Sequence, residues 1–331
     1  MAEMSPDHWP RVAVIGCGYW GKNLVRNFAE LGVLAGLVDH HPELTRSLSE
    51  RHGGTAMDFA DVLANPQIEA LAVVTPGPSH FELARQGLEA GKHVYVEKPL
   101  AMSSVEVGIL ADLAKRQRRT LMGGHILRYH SAFETLLAMT EAGTVGPVRH
   151  IVSERLNLGK ILIDEDVIWS LAPHDLSMIL AVMKAEPDAV ICHGDAFLRT
   201  GVSDMATLRL VFSGNRSAQA RLSWMSPVKQ HRLTVTGEAG VMVFDDTRGW
   251  SEKLTIHRPA LDWDDAAVQP APAQPQAVMV AESEPLKAEC RHFLNAVRSG
   301  ATPLTDGQES HAVISVIERA QASLQANGAA R

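Results

Sequence analysis

Cysteine, tyrosine, long apolar runs and clustered basic charge are all scarce in this sequence. Its 331 residues include 3 Cys and 3 Tyr. Cys17, Cys192 and Cys290 are far apart, odd in number and outside any CxxC pair. That favours reduced thiols over a disulfide framework or a zinc site. No apolar run approaches the roughly 18–20 residues that a membrane-spanning helix needs. Met1–Pro10 has no basic stretch leading into an apolar one, so it does not read as a secretory signal. With 31 Lys+Arg against 38 Asp+Glu, the formal charge is −7. A general phosphate-backbone binder needs clustered Lys and Arg, so the balance argues against one. The one short basic cluster, Lys115, Arg116, Arg118 and Arg119, ends a predicted helix, where it complements the helix dipole. The 15 histidines include no HExxH and no close His/Cys cluster, which argues against a metal site. No GxSxG elbow marks a serine hydrolase. These absences lead us to expect a cytoplasmic protein with no metal, nucleic-acid or membrane partner.

Hydrophobic residues make up 46% of the chain and charged residues 21%, as in ordinary globular proteins. At roughly 150 residues per domain the length suggests two domains, divided here as 1–123 and 124–331. In the first, short apolar runs at Arg11–Ile15, Val33–Val38, Ala70–Val74, His93–Val96 and Thr120–Met122 predict strands. Helical spacing over Lys22–Leu31, from Pro42 to near Gly53, over Ser79–Ala90 and over Ser103–Arg116 predicts helices between them. Such alternation implies βαβ units and a doubly wound parallel sheet, a Rossmann arrangement.

The second half predicts helices over Ser131–Glu141, from near Pro173 through Met183, over Pro285–Val297 and over Gln308–Leu324. Ala206–Phe212, Ser217–Trp224 and Arg232–Thr236 alternate like strands and are separated by turn residues, predicting an α/β domain with a large, mostly antiparallel open sheet. Ala266–Ala277, rich in Pro, Ala and Gln, reads as an exposed loop.

The first strand runs into Gly16-Cys17-Gly18-Tyr19-Trp20-Gly21, and a helix follows. In that context GxGxxG is a dinucleotide fingerprint. Gly16 allows the tight turn, Gly18 the approach of a pyrophosphate, and Gly21 close helix–strand packing. The helix N-terminus offers unpaired N–H groups and partial positive charge to phosphate. Asp39, 18 residues after Gly21, ends the second strand, where a carboxylate accepts the adenosine ribose hydroxyls. It would repel a 2′-phosphate, which favours NAD over NADP, although protonated His40 or His41 would offset part of that repulsion. Two later strand ends, Thr75-Pro76-Gly77-Pro78-Ser79-His80 and Glu97-Lys98-Pro99, fall where an open parallel sheet binds ligands.

The segments VAVIGCGYWGKN, VVTPGPSH, VYVEKPL and Gly123-Gly124-His125 resemble the Gfo/Idh/MocA oxidoreductase family. The resemblance covers nearly the whole chain. It implies a Rossmann domain followed by an open-sheet α/β domain, with Lys98 near the site of hydride transfer and its bond to Pro99 often cis. The expected cofactor-binding set is Gly16, Gly18, Tyr19, Trp20, Gly21, Asp39, Thr75, Pro76, His80, Glu97 and Lys98. Arg155–Gly159, Asp166–Leu176 and Pro303–Gly307 further resemble the branch of UDP-N-acetylglucosaminuronate 3-dehydrogenases and related nucleotide-sugar 3-dehydrogenases. By that resemblance His174 is the general base or acid at a sugar C3 carbinol, with Lys98 as its catalytic neighbour. Lys98, Arg128, Tyr129, Arg155, Asn157, Asp166 and His174 are the expected substrate-binding set, with Lys160 a further candidate. Relatives often carry Asp four residues before the histidine, where this chain has Ser170. Serine would orient the imidazole more weakly, and Asp166 and Asp175 are the possible substitutes.

The chemistry suits a dehydrogenase, since a neutral imidazole accepts a hydroxyl proton near neutral pH and an ammonium stabilises the developing alkoxide. Three alternatives stay open: a dehydrogenase of a free sugar or inositol-type polyol, an NAD-dependent glycoside hydrolase, and a non-catalytic nucleotide-binding regulator. The open sheet of the second domain needs cover, which leads us to expect a homodimer or homotetramer.

Overall fold

The computed structural model describes residues 9–159, 161, 165–258, 260–263, 268–271 and 274–326. Two compact units divide the chain, the first formed by Met1–Tyr129 with Glu284–Ser315 and the second by His130–Ser283 with Val316–Arg331. The return of Glu284–Ser315 to the first unit has no counterpart in a linear division at residue 123.

In the first unit β1 (Val12–Ile15), β2 (Leu34–Val38), β3 (Thr55–Ala56), β4 (Ala70–Val73), β5 (His93–Glu97) and β6 (Leu121–Gly124) form one sheet. Its order is β3-β2-β1-β4-β5-β6 and every pairing is parallel. The connecting helices are α1 (Gly21–Glu30), α2 (Pro42–His52), α3 (Phe59–Ala64), α4 (His80–Glu89) and α5 (Ser104–Gln117). Alternate side chains of β1 enter two different cores, Val12 and Val14 packing with Leu24 and Phe28, Ala13 and Ile15 with Val62 and Leu71. Burial on both faces is why these strands read as unbroken apolar runs. The first core is completed by Leu286, Cys290, Phe293 and Leu294 of a helix from the returning segment, described below as α8.

The second unit contains α6 (Ser131–Glu141), β7 (Val148–Leu158), α7 (Val167–Met183), β8 (Ala189–Asp195), β9 (Met205–Phe212), β10 (Arg216–Ser223), β11 (Met225–Gly237), β12 (Gly240–Asp245) and β13 (Leu254–His257). A hairpin of β14 (Ala260–Trp263) and β15 (Val268–Ala271) follows, then β16 (Gln276–Ala277). The eight-stranded sheet runs β16-β13-β12-β11-β7-β10-β9-β8 and is antiparallel except between β7 and β10. One face of β9 and β10 is buried while the other alternates with it towards solvent, the period-two signature of a half-covered sheet. The chain closes with α8 (Pro285–Ser299) and α9 (Gly307–Ala326), and α9 belongs to the first unit up to Ser315 and to the second from Val316.

Three local expectations are corrected. First, α7 starts at Val167 rather than near Pro173, because the Asp166 carboxylate caps it by accepting the N–H groups of Ile168 and Trp169 at 3.0 and 2.9 Å. Pro173 therefore lies inside the helix, where the missing N–H leaves the Trp169 carbonyl without its helical donor. Second, within Ala266–Ala277 the described residues Val268–Ala271 and Gln276–Ala277 are strands, since extended proline is compatible with sheet edges. Third, β7, β8, β12 and β13 join the three strands anticipated in the second half. Their partly polar, partly exposed sequences weaken the apolar alternation on which recognition rests.

Candidate active site

The loop between β1 and α1 is built by its glycines. Gly16 has φ +92°, and a Cβ there would meet the Thr75 nitrogen at 2.8 Å. A Cβ on Gly21 would lie 2.0 Å from the Gly16 carbonyl oxygen, so the helix can approach the strand this closely with glycine alone. A Cβ on Gly18 would meet no protein atom within 4 Å. The space beside Gly18 is thus free of protein at the N-terminus of α1, as a pyrophosphate cradle requires. Asp39, just past β2, turns its carboxylate into the loop. Its Oδ2 accepts the Cys17 N–H at 2.7 Å and its Oδ1 the His41 N–H at 3.0 Å. The oxygens retain acceptor capacity for ribose hydroxyls. Beneath the loop the Cys17 thiol is buried, and burial together with the Asp39 charge pushes its pKa up to about 12. Tyr19 is 79% exposed, with Lys22 Nζ 5.3 Å from its ring centre.

The ends of β4 and β5 are tied to each other. His80 is buried, with Nδ1 2.7 Å from the Pro99 carbonyl oxygen and Nε2 2.6 Å from that of Thr75. A neutral ring has one N–H and can donate to just one of these carbonyls. Burial holds the His80 pKa below the usual histidine value against the two carbonyl bonds, and the Lys98 charge pushes the same way. Expected from sequence to bind cofactor, His80 is here a clamp between the Thr75-Pro76 turn and the Lys98-Pro99 turn, whose peptide bond is cis. The Thr75 hydroxyl meets Ser79 at 2.7 Å. Glu97 accepts the indole N–H of Trp20 at 2.5 Å and the backbone N–H of Lys98 at 2.9 Å. The residue preceding Lys98 thereby joins the glycine loop to the end of β5.

At the end of β6, His125 is buried with Nε2 3.4 Å from Glu309 Oε2, and Arg128 Nη1 lies 3.2 Å from the other oxygen. Burial lowers the His125 pKa, and the Arg128 and Lys98 charges add to the effect while Glu309 opposes it. Tyr129 is packed inward, its hydroxyl 2.9 Å from that of Thr305 and its ring against His292. Arg128 and Tyr129 thus have partners within the first unit at the positions where sequence suggested substrate contacts.

In the second unit His174 lies in the middle of α7, with Ser170 four residues earlier on the same helical face. Both carboxylates considered as stand-ins have other partners within the second unit. Asp166 caps the helix and also accepts the Gln321 side-chain N–H at 2.5 Å. Asp175 is 1% exposed, accepting Arg155 Nε at 2.7 Å and the Ser153 hydroxyl. Arg155 is therefore half of a buried ion pair under the helix. Asn157 stands near the end of β7, beside Gly159. Lys160 lies outside the described residues.

Two glutamates at this end of the first unit were not anticipated. Glu289 is fully buried, its Oε2 3.1 Å from the Tyr95 hydroxyl, which is also 3.3 Å from Glu97 Oε1. Glu309 receives His125 and Arg128 as described. A signal for Glu289 exists in the sequence, since it falls on the apolar stripe of α8 with Leu286, Cys290 and Phe293.

A parallel sheet in this order, with a glycine-lined helix N-terminus and an acidic residue ending β2, defines a Rossmann dinucleotide-binding unit. Residues 10–125 match the model of the oxidoreductase family with an NAD-binding Rossmann fold, and residues 133–243 match the GFO/IDH/MocA C-terminal domain. The chain belongs to the Gfo/Idh/MocA oxidoreductase family. It is 29% identical over 322 residues to UDP-N-acetylglucosamine 3-dehydrogenase of Acidithiobacillus ferrooxidans, covering 96% of this chain and 97% of that one. The solved structure of that enzyme superposes with a TM-score of 0.84, 27% identity, and coverage of 96% and 98%. A solved structure from Magnetospirillum magnetotacticum MS-1 is 31% identical, with a TM-score of 0.81 and coverage of 94% and 99%. Inositol 2-dehydrogenase 1 of Saccharopolyspora erythraea is 28% identical over 211 residues, 60% of each chain.

Proposed function

We propose that this chain is an NAD-dependent dehydrogenase that oxidises the C3 hydroxyl of a nucleotide-linked sugar, a UDP-N-acetylhexosamine or its uronate. The observation that carries the substrate class is the similarity to UDP-N-acetylglucosamine 3-dehydrogenase along nearly the whole of both chains. The choice of NAD rests on Asp39, whose carboxylate is held at the end of β2 by two backbone N–H groups and would repel a 2′-phosphate. Tyr19 is exposed next to the same loop, and Thr75 and Pro76 follow β4.

In this reading the loop N–H groups and the α1 N-terminus hold the pyrophosphate. Nicotinamide, when bound, takes up the two electrons and the hydrogen that leave the carbinol carbon. His174 removes the hydroxyl proton, and the Lys98 ammonium stabilises the negative charge developing on oxygen. Ser170 stands where an acid would hold a protonated imidazole more strongly, so this chain relies more on Lys98 to lower the proton affinity of the alkoxide.

The test is the near-ultraviolet absorbance of reduced nicotinamide after mixing the protein with NAD and either UDP-N-acetylglucosamine or UDP-N-acetylglucosaminuronate. A rise that disappears in His174→Ala supports both the substrate class and the base. A rise with inositol-type polyols alone favours the second reading, a free-polyol dehydrogenase, which rests on the partial similarity to inositol 2-dehydrogenase. Silence across both panels with NAD bound sinks the catalytic reading.

The half-covered sheet carries Ile191, Met205 and Leu158, 40%, 39% and 68% exposed, and Phe197, 67% exposed, follows β8. An apolar face of this kind supports a homodimer or homotetramer, which sedimentation at micromolar concentration tests, a single monomer peak counting against it. Three free cysteines support a reducing, cytoplasmic location.

A further inference from the structure

We infer that Glu289 is a neutral carboxylic acid that donates its proton to the Tyr95 hydroxyl oxygen and so aims the Tyr95 O–H at Glu97, making Glu289 a positioning residue for the glycine loop and the Lys98 turn. The argument is a count of protons. The Tyr95 oxygen lies 3.1 Å from Glu289 Oε2 and 3.3 Å from Glu97 Oε1. A phenol has one hydrogen, so it can donate to one of the two carboxyl groups only. Were both ionised, the second contact would set a lone pair against an anion in a site closed to water. One of the two must therefore carry a proton.

The surroundings decide which. Burial raises the Glu97 pKa as well, but Glu97 accepts from the Trp20 indole and from the Lys98 backbone N–H, and these bonds and the Lys98 charge favour its ionised form. Glu289 has none of this support. Its Oε1 has no hydrogen-bond partner among the described residues, and the side chain is fully buried. The charged groups acting on it, Glu97 of β5 and Glu309 of α9, are both acidic and oppose a further negative charge, as burial itself does. Tyr95 faces the same two-carboxylate environment and is held in its neutral form by burial first and by Glu289 and Glu97 next. An ion without donors is expensive to bury, whereas a neutral acid that donates one hydrogen bond is tolerated.

The resulting relay runs from Glu289 through Tyr95 to Glu97, and from Glu97 to Trp20 at the start of α1 and to Lys98 after β5. With the Tyr95 hydrogen directed at it, Glu97 keeps three donors and a fixed orientation. Loss of the relay takes away one of the three donors of Glu97 and loosens the anchor that the two turns share. No bond to carbon is made or broken here, and the single proton stays between oxygens.

Difference infrared spectroscopy of the full chain tests the protonation without any cofactor. At neutral pH a protonated-carboxyl C=O band should be present, should vanish in Glu289→Gln, should shift in Tyr95→Phe and should persist in Glu97→Gln. Its absence, or its loss in Glu97→Gln with retention in Glu289→Gln, overturns the inference. The positioning role is read from NAD affinity and rests on the proposed cofactor. Glu289→Gln offers an N–H in place of the O–H and should stay within about twofold of the parent, while Glu289→Ala should weaken NAD about 3–10-fold, the worth of one neutral hydrogen bond. Equal weakening by Gln and Ala overturns the positioning role. A parent that binds no NAD defeats the proposed function, and the infrared result then still decides the protonation.

Discussion

Asp175 and Arg155 are joined in a buried ion pair, Arg155 Nε donating to Asp175 Oδ2 at 2.7 Å, one residue beyond His174 in α7. The pair anchors the helix that carries the proposed base to strand β7. Asp175→Ala would leave a guanidinium buried and unpaired, which costs about 3–5 kcal/mol. The expected result is a large drop in the thermal unfolding midpoint, and an unchanged midpoint would show that the pair does not anchor the helix.

The glycines of the β1–α1 loop should separate folding from binding. At Gly18 a Cβ meets no protein atom within 4 Å, so Gly18→Ala should fold with the parent's midpoint yet bind NAD more weakly. At Gly21 the Cβ would lie 2.0 Å from a backbone oxygen, so Gly21→Ala should lower both the midpoint and the affinity. Calorimetric titration alongside thermal melts distinguishes the two, and equal behaviour of the variants would refute the assignment of the open space to a ligand.

Asp39 sets the expected cofactor preference. Replacing it with Ala removes a charge-assisted hydrogen bond of about 1.5–3 kcal/mol, a loss in NAD affinity of roughly 10–100-fold. Asp39→Arg should in addition raise NADP affinity, because the guanidinium fork suits a 2′-phosphate. If NADP already binds the parent as tightly as NAD does, the role given to Asp39 is wrong.

The His80 clamp predicts a linked effect at two turns. His80→Ala leaves the one carbonyl that accepts the ring N–H, that of Thr75 or of Pro99, without its donor, at about 1–3 kcal/mol. Weaker NAD binding should accompany the lower stability, since both turns lie at strand ends of the proposed cofactor site. Lower stability with unaltered affinity would confine His80 to a purely structural role.

Two histidines predict acid sensitivity. Burial and Arg119 lower the His93 pKa to about 4, and its Nδ1 accepts the Thr120 N–H at 3.0 Å, a bond that protonation would break. Burial, with Arg155 and Lys229, lowers His231 to about 4 as well. Between the ordinary histidine value near 6.5 and about 4 the unfolded chain binds protons that the folded chain refuses. Stability should therefore fall as pH drops through that window. Melts across it should be flatter in His93→Gln, and an identical slope would exclude His93 as a contributor.

Much of this protein was determined by local sequence. The β-strand and helix alternation of the first unit, the glycine loop and the boundaries of α1, α2, α5 and α6 follow from local pattern, where period, turn residues and caps state the structure directly. Ser103 illustrates this, since it accepts the Glu106 N–H at 3.2 Å and starts α5 where the sequence predicted.

Only the tertiary structure decided what the polar groups do once they are buried. Tyr129 turns inward to Thr305, Arg128 pairs with Glu309, Asp166 becomes a helix cap, and Glu289 meets Tyr95 across 194 positions of chain. A side chain's charge and availability depend on which donors and acceptors share its water-free surroundings. Those neighbours come from distant segments that no local pattern connects.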